Sequence, residues 1–128
     1  MPRLTVVGCL LVLWLGAAAD AQTQLDLNRD AVQSLRDAES RLAAAVSTYR
    51  ERLDPSQRAA FDESQRRWVS YRKAACAFQA SGVTGGSAHE MILATCLADY
   101  ANQRLDIITK LMNCPEGDLS CPVFKRDS

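Results

Sequence analysis

Net charge is the first thing this sequence lacks. Its 15 basic and 15 acidic side chains cancel with His89 neutral, whereas a nucleic-acid binder usually carries a clear basic excess. Histidine is confined to His89. A Ser–His–acid site would have to be built on a residue in the first turn of a helix, and no nucleophile elbow occurs anywhere. There is no C-x-x-C pair, and Cys76, His89 and Cys96 match no closed zinc pattern, so neither a metal centre nor a thiol catalyst is expected. Gly82, Gly85 and Gly86 lack the motif and the lysine of a phosphate loop. Lysine is scarce, present only as Lys73, Lys110 and Lys125, and we read the arginine bias as compositional. No window alternates as a strand, and no internal repeat or low-complexity segment appears. No cofactor is expected, and the chain reads as a non-enzyme.

Long hydrophobic runs are also missing after the first residues. MPR forms a short basic start, LTVVGCLLVLWLGAA an apolar stretch, and Ala19-Asp20-Ala21 an A-x-A cleavage signal. The apolar run falls short of the roughly 20 residues a spanning helix needs. Val6-Val7-Gly8-Cys9 resembles a lipobox, but the hydrophobic stretch follows Cys9 instead of preceding it. The expected organisation is a cleaved signal peptide over 1–21, a helical domain over 22–113 and a tail over 114–128. The mature chain then begins at Gln22, spans no membrane, and is periplasmic or secreted. Cleavage removes Arg3 and Asp20, one charge of each sign, so the balance is kept.

What is present is helical periodicity. From about Asp26 to Leu53, Leu35, Leu42 and Tyr49 step by seven, as do Val32, Val46 and Leu53, with Ala31, Ala38 and Ala45 alongside. Asp54 is a good N-cap for a second helix over about 55–80, with Pro55 at its first position and Gln57 completing a capping box. Phe61, Ser64, Trp68, Tyr71, Ala75 and Phe78 form its expected inner seam. SGVTGGS is a turn. Ser87 and Glu90 then suggest a capping box for a third helix, whose expected inner face is Leu93, Leu97, Tyr100, Ala101, Ile108 and Leu111. The fold class is therefore all-α: an antiparallel three-helix bundle with short turns.

Four cysteines remain after export, and in a small exported domain they read as two disulfides with three possible connectivities. Cys76 and Cys96 lie just over two turns on either side of the glycine turn, so they face each other across the hairpin. Cys114 and Cys121 then close a local loop in the tail.

Three charges fall on the wrong face. At 100° per residue, Arg104 projects into the apolar stripe of the third helix and Arg72 lies about 40° from Trp68. Glu39 takes a seam position between Val32 and Val46. An inward charge is costly unless paired, so Glu39, Arg72 and Arg104 are expected to form a network that specifies helix register. Arg66 and Lys73 point to solvent, and His89 reads as a solvated helix-start residue.

The series Gln65-x-x-Trp68-x-x-Tyr71-Arg72-x-x-x-Cys76, Gly85-Gly86-Ser87, Cys96 and Arg104-x-x-x-Ile108 resembles the lysozyme-inhibitor LprI-like N-terminal domain. That family comprises small exported bacterial helical proteins, and the likeness runs over roughly residues 28 to 112. It implies an exported, disulfide-linked helical domain, a protein partner and a role in inhibiting lysozyme, and its cysteines match Cys76 with Cys96. Three features depart from the pattern. Leu42-Ala43-Ala44-Ala45-Val46 replaces a Leu-Asn-x-x-Tyr run, cysteines near the start are missing, and a pair appears at the C-terminus. The family's named inhibitor is a lipoprotein, whereas this chain reads as soluble.

A lysozyme inhibitor must block a cleft that holds two carboxylates, a task for a protruding loop. The candidates are Gly82 to His89, with Gly85, Gly86, Ser87 and His89 as contact residues, and the acidic loop from Cys114 to Cys121 with Glu116 and Asp118. A non-inhibitory envelope module with another protein partner is the alternative.

Overall fold

The computed structural model describes the backbone of residues 7–124 and the side chains of residues 23–124. The expected cleavage signal, Ala19-Asp20-Ala21, and Cys9 lie outside the described side chains. Three α-helices carry the fold: α1 (Val7–Arg50), α2 (Pro55–Ala80) and α3 (His89–Met112), with a 3-10 turn at Ser81–Val83 between the last two. No strand occurs among the described residues.

The α1–α2 turn follows from one proline. Pro55 disfavours a helical conformation in the residue before it, and Asp54 is extended at φ −68°, ψ 169°. Its carboxylate accepts from the Gln57 amide at 2.8 Å, and its own amide donates to Gln57 Oε1 at 3.1 Å, which completes the capping box. The chain leaves the helix earlier than its periodicity implies: Leu53 is buried in the turn, not in α1. At the other end α1 begins at Val7, well before the expected Asp26.

α2 runs antiparallel to both neighbours, so α1 and α3 run parallel. Tyr49 meets Phe61 edge-on at 5.3 Å between α1 and α2. Arg41 donates to Asn102 at 3.1 Å, and Arg52 to the Met112 carbonyl at 2.8 Å, between α1 and α3. The closest helix packing is α1 against α3. Ala38 and Ala45 on α1 and Ala94, Ala98 and Ala101 on α3 are all buried there, and small side chains let two helix backbones approach. Leu42, Tyr49, Leu53 and Ile108 complete the core, with Phe61, Trp68 and Leu105 packed against it. The Tyr49 hydroxyl is buried without a hydrogen-bond partner, and desolvation raises its pKa.

Three expectations about the helix faces are corrected by this packing. The centre of the α3 face is the alanine side with Ile108; Leu93, Leu97, Tyr100 and Leu111 are only half-buried at its margins. Tyr71 and Phe78 are not core, at 62% and 81% exposure. The closest packing is between α1 and α3, and the α2 seam is half-buried at Phe61, Trp68 and Ala75 and exposed at Ser64, Tyr71 and Phe78; the fully buried α2 positions are Cys76 and Ala80. Ser87 does not cap α3 either. Ala88 occupies that position with no side-chain hydrogen bond, and the Ser87 carbonyl instead accepts from Asn28 on α1 at 2.9 Å.

Both disulfides join the cysteines paired by the hairpin argument. Cys76–Cys96 links α2 to α3, and Cys114–Cys121 closes the tail loop. The tail folds back on the α1–α2 turn, where Val123 packs against the core and Gln57 donates to the Pro122 carbonyl at 2.9 Å.

Candidate functional site

The residues singled out for charge converge on Trp68. Arg72 reaches across to α1, where its Nη2 donates to Glu39 Oε1; the arginine side chain is 11% exposed and the glutamate 47%. Its guanidinium lies 5.2 Å from the centre of the Trp68 ring. Arg104 approaches the same ring from α3 at 5.8 Å. It does not join the Glu39 pair. Its Nε donates to Gln65 Oε1 at 2.7 Å and its Nη2 to Ser64 Oγ at 3.0 Å. Two arginines thus stack on one tryptophan, each with its own acceptor, in place of a single three-residue network. Desolvation lowers the Arg104 pKa, but a guanidinium stays charged in any ordinary range. The cluster consists of two guanidinium groups, the tryptophan ring and the side-chain oxygens of Glu39, Gln65 and Ser64. It ties α1, α2 and α3 together.

The cation–π arrangement was not read from the sequence, although Arg72 lies one helical turn after Trp68, the spacing that sets such pairs on one face. Arg66 and Lys73 are exposed, and Arg66 pairs with Glu63 one turn earlier on α2.

The glycine turn closes the α2–α3 hairpin beyond this cluster, which sits midway along the two helices. Residues 81 to 87 are exposed, and Gly85 has a φ of +79°, a conformation that favours glycine. His89, the first residue of α3, is half-buried instead of solvated. Gly85, Gly86, Ser87 and His89 are therefore together, but only the first three are on the exposed turn. Phe78, on the last turn of α2 beside it, is exposed although sequence reasoning placed it in the core, and Val83 is exposed within the turn.

The tail loop projects from the opposite end of the bundle. Gly117 has a φ of +89°, and Asp118 accepts from the Ser120 amide at 2.9 Å and hydroxyl at 2.7 Å, which lowers the Asp118 pKa. Leu119 is 98% exposed at its tip. Between α1 and α3 runs a shallow groove of about 340 Å³ with Ala31 and Ala98 in its floor and Asp37, Arg41, Asp99 and Asn102 along its sides. Among the described residues no cluster of His, Cys, Asp or Glu could hold a metal ion, and no helix is long and apolar enough to cross a membrane.

These features define a class: a small all-helical bundle with two disulfides, whose inward arginines are absorbed in packing. The family model of the lysozyme inhibitor LprI matches residues 16–106, and the chain belongs to that family. The matched region contains Trp68 and its two arginines, the glycine turn and the first disulfide; the stapled tail lies beyond it. Neither the curated proteins nor the solved structures gave a match.

Proposed function

We propose that this chain is an exported bacterial protein that binds lysozyme and inhibits it without catalysing a reaction of its own. The observation that carries the reading is membership of the LprI family over residues 16–106. Two disulfides support export, because such bonds persist in oxidising compartments. In this reading the signal segment 1–21 is removed, residues 22–113 form the working domain, and the protein acts in the periplasm or outside the cell. The glycine turn with Gly85, Gly86 and Ser87 is the contact loop.

The decisive experiment follows the turbidity of bacterial cell walls exposed to lysozyme. Purified mature protein at micromolar concentration is expected to slow lysis in proportion to its concentration. An unchanged lytic rate would overturn the reading.

A further inference from the structure

Residues 74 to 89 contain no Asp, Glu, Lys or Arg, in a chain where 23% of residues are charged. The stretch begins on the last turns of α2, crosses the glycine turn and ends at the first residue of α3. Phe78 lies within it at 81% exposure and Val83 at 37%. The hairpin tip therefore presents apolar and neutral hydrogen-bonding groups with no formal charge of its own until Glu90, while on neighbouring α1 the exposed Asp26 and Arg29 flank Asn28 and pair with each other.

The tip is also held in shape. Cys76–Cys96 staples the hairpin below the turn. Asn28 clamps the Ser87 carbonyl from α1 at 2.9 Å. Within the turn, the Gly86 amide donates to the Val83 carbonyl at 3.0 Å, the His89 amide to the Gly86 carbonyl at 3.2 Å, and the Ser81 hydroxyl to the Phe78 carbonyl at 2.7 Å. A loop fixed before binding loses less conformational freedom on association.

The two protruding ends differ in charge, and the chemistry of the target discriminates between them. A lysozyme cleft carries two carboxyl groups flanking the bond to be cut. An acidic loop entering it meets like charge in a partly desolvated space, and the tail loop brings Glu116 and Asp118. The glycine turn brings none. It offers the Ser87 hydroxyl together with the Phe78 ring, an aromatic of the kind enriched at interfaces, while the Ser81 and Thr84 hydroxyls donate within the turn.

We infer that the charge-free turn enters the lysozyme cleft with Phe78 as its apolar anchor, an inference that rests on the inhibitor reading above. Gly82 supplies a clean probe of the charge argument. A Cβ added there meets nothing within 4 Å, so a side chain can be introduced without disturbing the fold.

The experiment compares Phe78→Ser, Gly82→Asp and Leu119→Ser with the unaltered mature protein. Inhibition of cell-wall lysis by purified lysozyme and binding by calorimetry are both measured, with a melting curve for each variant. Phe78→Ser and Gly82→Asp are each expected to weaken inhibition and binding by at least about tenfold, in keeping with loss of an interface anchor. Leu119→Ser, at the far end, is expected to match the unaltered protein. If the unaltered protein inhibits and both turn variants inhibit equally well, the surface assignment is wrong while the inhibitor reading stands. If Leu119→Ser alone weakens inhibition, the tail loop is the contact and the assignment is again wrong. A mature protein that neither binds nor inhibits lysozyme overturns both.

Discussion

Arg104 and Arg66 show why an arginine's worth to the fold depends on where its guanidinium ends. Arg104 is half-buried, stacks on Trp68 and bonds Gln65 and Ser64. Arg66 has a side chain 76% exposed and pairs only with Glu63 on its own helix. Removing Arg104 leaves two polar side chains without their donor and takes a cation from the tryptophan face, at a cost of about 1–3 kcal/mol. An exposed pair contributes about 0.5 kcal/mol or less. Arg104→Ala is therefore expected to lower the melting temperature clearly and Arg66→Ala hardly at all; equal melting curves would show that the Trp68 cluster does not stabilise the bundle. Inward placement of Arg104 and Arg72 was legible from the 100° projection. Their acceptors were not, because Glu39, Gln65 and Ser64 are brought within reach by how the helices pack and rotate.

At the scale of the element, the bounds of α2 were the most legible and those of α1 the least. The Asp54-Pro55-x-Gln57 signal is wholly local, since each of its hydrogen bonds spans three residues. Asp54→Ala is expected to destabilise the protein by about 1 kcal/mol, measured as a shift in urea midpoint at unchanged slope; no shift would mean that tertiary contacts alone hold the start of α2. Ser87 and Glu90 offered an equally good local signal before α3, yet it was overridden. Asn28, 59 residues away in sequence, takes the Ser87 carbonyl, and α3 starts one residue beyond the point the signal implied. Periodicity also marked apolar positions on α2 without deciding which were covered. Tyr71 and Phe78 fit the same heptad as Trp68, but only Trp68 packs against the core; Tyr71 meets Tyr100 of α3 edge-on at an exposed margin, 5.9 Å between ring centres, and Phe78 faces solvent.

For the whole molecule, covalent links and helix packing act together. Cys76–Cys96 closes a separation of 20 residues and Cys114–Cys121 one of 7. By loop-closure entropy the first contributes about 3 kcal/mol and the second about 2 kcal/mol. Replacing Cys76 and Cys96 by serine is thus expected to lower stability more than replacing Cys114 and Cys121, in thermal melts of the two double variants. Cys76 is fully buried, which adds to the difference. In the exported protein, intact mass is expected to show a chain that starts at Gln22 and lacks the four hydrogens lost in forming two disulfides. A free thiol or a retained residue 1–21 would contradict the disulfide pattern or the expected cleavage.

The sequence by itself resembled the family through its Gln65-x-x-Trp68-x-x-Tyr71-Arg72-x-x-x-Cys76 run, and it determined the fold class: three amphipathic helices, the Asp54 turn, the glycine hairpin and cysteines at matching heights about it. These depend on periodicity, local hydrogen bonding and chain reach, all properties of short segments. Tertiary structure alone decided that α1 and α3 pack closest on an alanine face, that two arginines share Trp68 with separate acceptors, and that Phe78 faces solvent beside a rigid turn. Which part of an apolar stripe is covered depends on how near the neighbouring helix comes and at what rotation. That is settled by side-chain volume across the interface, information that no single helix contains.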